Sequence, residues 1–136
     1  MKTAVDSSVL LDVLGADPVF GERSREALKV AYGAGALLAC DVVWAEVRAH
    51  FPDDDSFGEM VRTLGVVFQP LSADAARLAG SLWRQHRARS SVDRSRVVAD
   101  FLIGAHALLD ADGLLTRDRG FYRRYFSRLR LTDPTR

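Results

Sequence analysis

The sequence is poor in cysteine, lysine and histidine, and it holds no long apolar run. A single cysteine, Cys40, rules out an intramolecular disulfide and a cysteine-rich metal centre. Three histidines, His50, His86 and His106, show no ligand spacing. The longest uncharged apolar stretch, Val30 to Cys40, is 11 residues, whereas a bilayer span needs about 20. The N-terminus meets Asp6 before a signal-peptide core is complete, so the expected location is cytoplasmic, with no membrane association. No glycine-rich phosphate loop is present, because Gly33-Ala34-Gly35 lacks the spacing of one. Asp6-Ser7-Ser8 lacks the second aspartate that haloacid-dehalogenase phosphatases carry two residues after the first. Linkers, repeats and low-complexity segments are absent as well.

What remains is the composition of one globular domain spanning residues 1–136, with 48% hydrophobic and 27% charged residues. The net charge of +1 conceals an asymmetry. Residues 1–68 carry 6 basic against 11 acidic side chains, and residues 69–136 carry 13 against 7. Nearly all of the basic residues are arginine. They group at Arg84, Arg87, Arg89, Arg94 and Arg96, then at Arg117, Arg119, Arg123, Arg124, Arg128 and Arg130. A planar guanidinium fork suits phosphate oxygens, so these groups are candidates for a nucleic-acid surface. From charge alone, a solvated face or the arginine bias of a GC-rich genome is the favoured explanation.

Strand-like apolar runs alternate with helical periodicity, the pattern of an α/β fold with a mainly parallel sheet. Thr3-Ala4-Val5 reads as a first strand, and Val9, Leu10, Val13 and Leu14 follow helical spacing up to Gly15. A second helix opens at Asp17-Pro18 and ends before Gly33. Ala36 to Cys40 reads as a buried strand, followed by a helix from Val42 to Phe51 that Pro52 stops. Asp53 to Ser56 caps a helix reaching Leu64, and Val66-Val67-Phe68 forms a third strand. Ser72 caps a long helix to Arg87, and Arg87 to Arg96 reads as loop or frayed helix. Val97 to Leu109 is a strongly apolar helix, Gly113 to Thr116 a fourth strand, Phe121 to Phe126 a short helix and Leu129 to Leu131 an edge strand.

Ligands of open parallel sheets bind beyond the carboxyl ends of the strands. Four acids fall near that edge: Asp6 after the first strand, Glu46 in the helix leaving the second, Asp100 early in the apolar helix, and Asp118 past the fourth strand. Each has a plain alternative. Asp6 and Asp118 suit helix caps, Asp100 suits the positive end of a helix dipole, and Glu46 suits an exposed face. Together they are harder to explain, since unit charges 4 Å apart repel by roughly 4 kcal/mol at an effective dielectric near 20. A cluster of this kind needs protons or a cation, and oxygen-only donors favour Mg²⁺ or Mn²⁺.

Four segments carry a resemblance: Asp6-Ser7-Ser8-Val9-Leu10-Leu11, Trp44-Ala45-Glu46-Val47, Ala99-Asp100-Phe101-Leu102-Ile103-Gly104-Ala105-His106-Ala107, and Leu115-Thr116-Arg117-Asp118-Arg119-Gly120-Phe121-Tyr122. They resemble the four acidic motifs of PIN-domain ribonucleases, and their order and spacing are most similar to the VapC toxins of toxin–antitoxin pairs. The resemblance spans essentially the whole chain. It implies a three-layer α/β/α sandwich with a mainly parallel sheet of four or five strands, and metal-dependent hydrolysis of single-stranded or loop RNA. It implies Asp6 and Asp100 as ligands of Mg²⁺ or Mn²⁺, with Asp118 completing the set, and Glu46 orienting or deprotonating the attacking water. It further implies a homodimer and an antitoxin partner reaching across the acidic site. Thr116, Arg117 and Arg119, which lie beside Asp118 in sequence, are the expected substrate contacts.

An RNA-processing nuclease outside any toxin pair, and a binding module without turnover, are the competing readings. His50, four residues after Glu46 in the same helix, shares its face and is expected as a surface histidine, and His106 is expected as a packed core residue. Trp44, Phe68 and Phe101 are expected in the core, while Trp83, Phe121, Tyr122 and Tyr125 are candidates for antitoxin or dimer contacts.

Overall fold

A computed structural model describes residues 1–89 and 97–136. Its elements in chain order are β1 (Lys2–Val5), α1 (Ser7–Leu14), α2 (Gly21–Ala34), β2 (Ala36–Ala39), α3 (Asp41–Arg48), α4 (Asp54–Leu64), β3 (Val66–Phe68), α5 (Ala73–Arg87), α6 (Val98–Asp110), β4 (Gly113–Leu115), α7 (Arg119–Tyr125) and β5 (Leu131–Thr132). The strands form one sheet in the order β3-β2-β1-β4-β5, and every pairing is parallel. Parallel neighbours cannot be joined by a tight turn, so helices carry each crossover. Helices α1 and α2 pack on one another, as do α5 and α6, giving the three-layer α/β/α sandwich.

The strands are short and apolar because the sheet is covered on both faces. Ala4, Val5, Leu37, Leu38, Ala39, Leu114 and Leu115 are all buried, and Val9, Leu10, Val43, Val47, Phe101 and Ile103 pack on them from the helices. The chain order reverses at β1: the path runs one way through β2 to β3 and the other way through β4 to β5. That reversal makes a crevice at the carboxyl ends of β1 and β4.

Several boundaries differ from those read in sequence, each for a local reason. Helix α2 starts at Gly21 rather than Pro18, because the Asp17 carboxylate accepts the Val19 and Phe20 N–H groups at 2.8 Å each and holds these residues in a turn. It runs past Gly33 and stops at Gly35, whose φ of 156° and contact with Met1 leave no room for a side chain: a Cβ there would lie 1.9 Å from the Met1 carbonyl oxygen. Helix α3 ends at Arg48, before Pro52 can act, and the Arg48 guanidinium binds the Phe51 carbonyl (2.9 Å) and Asp54 (2.7 Å) across the turn that follows. The edge strand is Leu131–Thr132, pairing with Leu114 and Leu115, whereas Leu129 is buried in the core. Of the expected Arg87 to Arg96 segment, Arg87 closes α5, and residues 90–96 lie outside the described residues.

Helix α6 approaches the buried Phe126 ring closely enough that a Cβ on Gly104 would lie 2.3 Å from it. Gly104→Ala is therefore expected to destabilise the protein by about 1–3 kcal/mol through overpacking. Gly80→Ala, in α5 with nothing within 4 Å of the new methyl group, should instead gain up to about 1 kcal/mol of helix propensity. Urea denaturation of the two variants compares them directly, and equal stabilities would contradict the packing of α6 on Phe126.

Candidate active site

The register of β1 on β4 pairs Val5 with Leu115, so the next residues along, Asp6 and Thr116, leave the sheet side by side. The Asp6 N–H extends the ladder to the Leu115 carbonyl at 3.0 Å. Asp6 then turns the chain into α1, with its Oδ1 accepting the Ser7 N–H at 2.8 Å. Its other oxygen, Oδ2, accepts the Thr116 hydroxyl at 2.7 Å. The Thr116 Oγ1 accepts in turn the Asp118 N–H at 3.0 Å, which shapes the loop after β4. The cap assigned to Asp6 as an alternative role thus exists, and it uses only one of the two carboxylate oxygens.

The other acids arrive from separate elements. Glu46 lies on α3, exposed, and its Oε1 accepts the Ser7 hydroxyl at 2.6 Å. Asp100 is half-buried in the first turn of α6. Asp118 immediately precedes α7. All four carboxylates line one pocket of about 520 Å³, together with Ser7, Ser8, Leu11, Ile103 and Arg117. The pocket lies at the crevice where the sheet order reverses.

The electrostatics of Asp6 are strongly perturbed. Burial pushes its carboxyl up to about 6, and the charges of Asp100 and Glu46 push in the same direction. The hydrogen bonds from Thr116 and Ser7 pull the other way without cancelling the effect. Burial is the largest cause.

Of the three expected contacts beside Asp118, Arg117 lines the pocket, and Thr116 and Arg119 do not. Thr116 is fully buried and commits its hydroxyl to Asp6 and to the Asp118 N–H, so it holds the site together from behind rather than facing a substrate. Arg117 does line the pocket, but two of its nitrogens are bound to Asp12 at 2.8 and 3.0 Å. Arg119 is not among the lining residues, and its charge acts on Asp133 near the C-terminus. Phe121 and Tyr122 are buried, not surface contacts for a partner, and pack edge to face with each other. His50 lies beyond the end of α3 and so shares no helix face with Glu46. His106 is buried, with its Nε2 2.7 Å from the Gln69 amide oxygen, while Phe68 is 42% exposed and meets the Trp44 ring edge-on instead of lying in the core.

Asp12 is the residue that sequence reasoning missed. It is buried, and it binds Arg117 and the Ser24 hydroxyl (2.9 Å). The signal was present, because Asp12 is the single charge in the otherwise apolar and hydroxyl-bearing α1.

The donor set is chemically suited to a hard divalent cation: carboxylate oxygens from Asp6, Asp100 and Asp118, with a charge balance around Asp6 that a cation would relieve. The acids share a pocket without being drawn together, and among the described residues no group of three His, Cys, Asp or Glu side chains is tight enough to hold an ion. The fit is one of chemistry and placement rather than of preformed chelation.

Fold and site together define an α/β protein with an acidic pocket at the switch point of a parallel sheet. The chain belongs to the PIN domain family, whose model matches residues 3–127. No curated protein sequence matches it. Among solved structures it is similar to VapBC2 from Rickettsia felis bound to a DNA fragment from its promoter (16% identity, 98% of each chain, TM-score 0.72). It is also similar to a toxin–antitoxin complex from Klebsiella pneumoniae (18% identity, 97% of each chain, TM-score 0.66). Mycobacterium tuberculosis VapC20, a Sarcin-Ricin loop cleaving toxin, matches at 12% identity over 82% of this chain and 86% of that one, with a TM-score of 0.53. At these identities the likeness is one of fold.

The raised Asp6 carboxyl has a consequence for stability in metal-free buffer. The folded state holds the Asp6 proton up to about pH 6, whereas the unfolded chain releases it near 3.8. Below 3.8 the group is neutral in both states, and its favourable contribution is complete. As pH rises from there through about 6 that contribution is lost. The whole loss is on the order of 3 kcal/mol, at about 1.36 kcal/mol for each pH unit between the two values. Asp6→Asn should flatten the stability profile across this window. A profile identical to that of the unsubstituted protein would contradict the burial of an ionisable Asp6.

Proposed function

We propose that this chain is a divalent-metal-dependent endoribonuclease that hydrolyses phosphodiester bonds of single-stranded or loop RNA, acting as the toxin of a toxin–antitoxin pair. The observation that carries the proposal is that four carboxylates from four distant segments line one pocket at the switch point of a PIN fold. Similarity to toxin–antitoxin complexes and to a Sarcin-Ricin loop cleaving toxin supports the toxin role. A homodimer and an antitoxin that covers the pocket belong to the same proposal. Among the described residues no helix is long and apolar enough to cross a membrane.

Asp6, Asp100 and Asp118 would hold Mg²⁺ or Mn²⁺. When bound, the cation would supply positive charge to the phosphoryl oxygens as negative charge builds on them. The chain's own residues supply the rest. Glu46, exposed to the pocket and fixed by the Ser7 hydroxyl, accepts the proton of the attacking water. Thr116 orients Asp6 and, through the Asp118 N–H, the loop that carries Asp118. The water attacks phosphorus in line with the leaving oxygen, which departs with a proton from solvent.

Incubating the purified protein with end-labelled single-stranded RNA and Mn²⁺ tests this directly. Discrete fragments are expected, and excess EDTA should abolish them. Asp6→Asn and Asp100→Asn should reduce cleavage to background with the fold retained, and Glu46→Gln should lower the rate by about 10²–10⁴-fold. Intact RNA with the unsubstituted protein would favour a binding module, and cleavage that persists in EDTA would exclude the metal-dependent mechanism.

A further inference from the structure

We propose that Asp12 is a positioning residue that fixes Arg117 as a substrate-phosphate contact at the rim of the acidic pocket. The proposal deepens the ribonuclease reading and rests on it for the identity of the substrate. An acidic pocket repels a polyanion, so a phosphodiester needs a cationic partner placed beside it. Among the described residues, Arg117 is the one basic side chain that lines this pocket.

Arg117 is held on two sides. Its Nε and Nη2 donate to Oδ2 and Oδ1 of Asp12, the bidentate geometry of a guanidinium fork on a carboxylate. One face of the guanidinium lies over the Phe20 ring, with the central carbon 4.1 Å from the ring centroid. Asp12 is buried and is itself fixed by the Ser24 hydroxyl. Its backbone carbonyl accepts the Asp17 N–H at 2.9 Å, anchoring the turn that presents Phe20. Ala16 enters that turn at a φ of 47°, a left-handed conformation that the surrounding bonds maintain.

A guanidinium has five N–H donors in a rigid plane. Asp12 takes two of them on one edge, and the remaining donors are assigned to a ligand in the pocket that Arg117 lines. A flexible arginine would pay rotamer entropy to reach a phosphate, and this one is already placed. Asp12 never touches the RNA; it acts through Arg117.

The opposing account is a purely structural ion pair between α1 and the loop after β4. Charge separates the two by sign. Asp12→Asn removes a negative charge, so simple electrostatics predicts equal or tighter RNA binding, whereas loss of positioning predicts weaker binding. The test is fluorescence anisotropy of a labelled single-stranded RNA in EDTA across a salt series, with folding followed by circular dichroism.

Arg117→Gln is expected to weaken binding by about tenfold or more and to reduce the salt slope by about 0.7. Arg117→Lys should restore the slope but only part of the affinity. Asp12→Asn should weaken binding despite its added net positive charge. The double variant should bind no worse than Arg117→Gln alone, a coupling of at least about threefold. Phe20→Leu leaves the ion pair intact and should weaken binding in the same direction, so the test survives if Asp12→Asn fails to fold.

Wild-type or tighter binding by folded Asp12→Asn and Phe20→Leu would overturn the proposal. RNA cleavage by the unsubstituted protein with Mn²⁺, alongside unaltered binding in these variants, would sink this inference alone. The predicted binding pattern without any cleavage would support it while removing the ribonuclease reading.

Discussion

The parallel pairing of β1 with β4, closed by the Thr116 hydroxyl on the Asp6 carboxylate, is the contact on which the site depends. It joins residues 110 positions apart in sequence. Because β1 is the strand at which the sheet order reverses, the residues that leave it open into a crevice instead of being covered by a crossover. Helix α3, leaving β2, and helix α6, entering β4, bring Glu46 and Asp100 to the same crevice. The fold thus gathers acids that repel one another, and the stability of the hydrophobic sandwich is what keeps them there.

The first helix displays two solutions to burying a carboxylate. Asp12 is matched by a guanidinium, a hydroxyl and an aromatic ring beneath its partner, an arrangement that leaves its charge compensated. Asp6 receives only neutral donors, from Thr116 and Ser7, and it faces two further acids. A buried ionised group without a countercharge is costly. A bound divalent cation would remove the cost, and the proposed phosphodiester hydrolysis would draw on the same cation. The contrast between these neighbouring aspartates separates a carboxylate whose charge is already matched within the fold from one that lacks a countercharge.

Much of this was legible in the sequence because it follows from local pattern. The strand at Thr3 to Val5, the strand at Val66 to Phe68, the cap at Ser72 and the apolar helix, read as Val97 to Leu109 and found one residue later at each end, all follow from periodicity and capping chemistry. The position of the acids near strand ends was legible for the same reason. Partnerships across the fold were not. Nothing local announces that Asp12 meets Arg117, 105 residues later, or that the hydroxyl of Thr116 is already committed to Asp6. Adjacency to Asp118 suggested Arg119 as a substrate contact, and the structure leaves it out of the pocket lining, with its charge acting on Asp133. Helix ends were misplaced where a side chain overrode the proline signal, as Asp17 does where Pro18 suggested a start and Arg48 does ahead of the stop at Pro52.

The central claim is that the carboxylates at the ends of β1 and β4 share a divalent-cation site. Paramagnetic line broadening by trace Mn²⁺ in the ¹H–¹⁵N spectrum of the RNA-free protein tests it without reference to activity. The account predicts early loss of the amide signals of Asp6, Ser7, Glu46, Asp100 and Thr116 through Asp118, and no such loss in Asp6→Asn. Broadening centred on another acidic segment, such as Asp53 to Asp55, with these amides untouched, would contradict it.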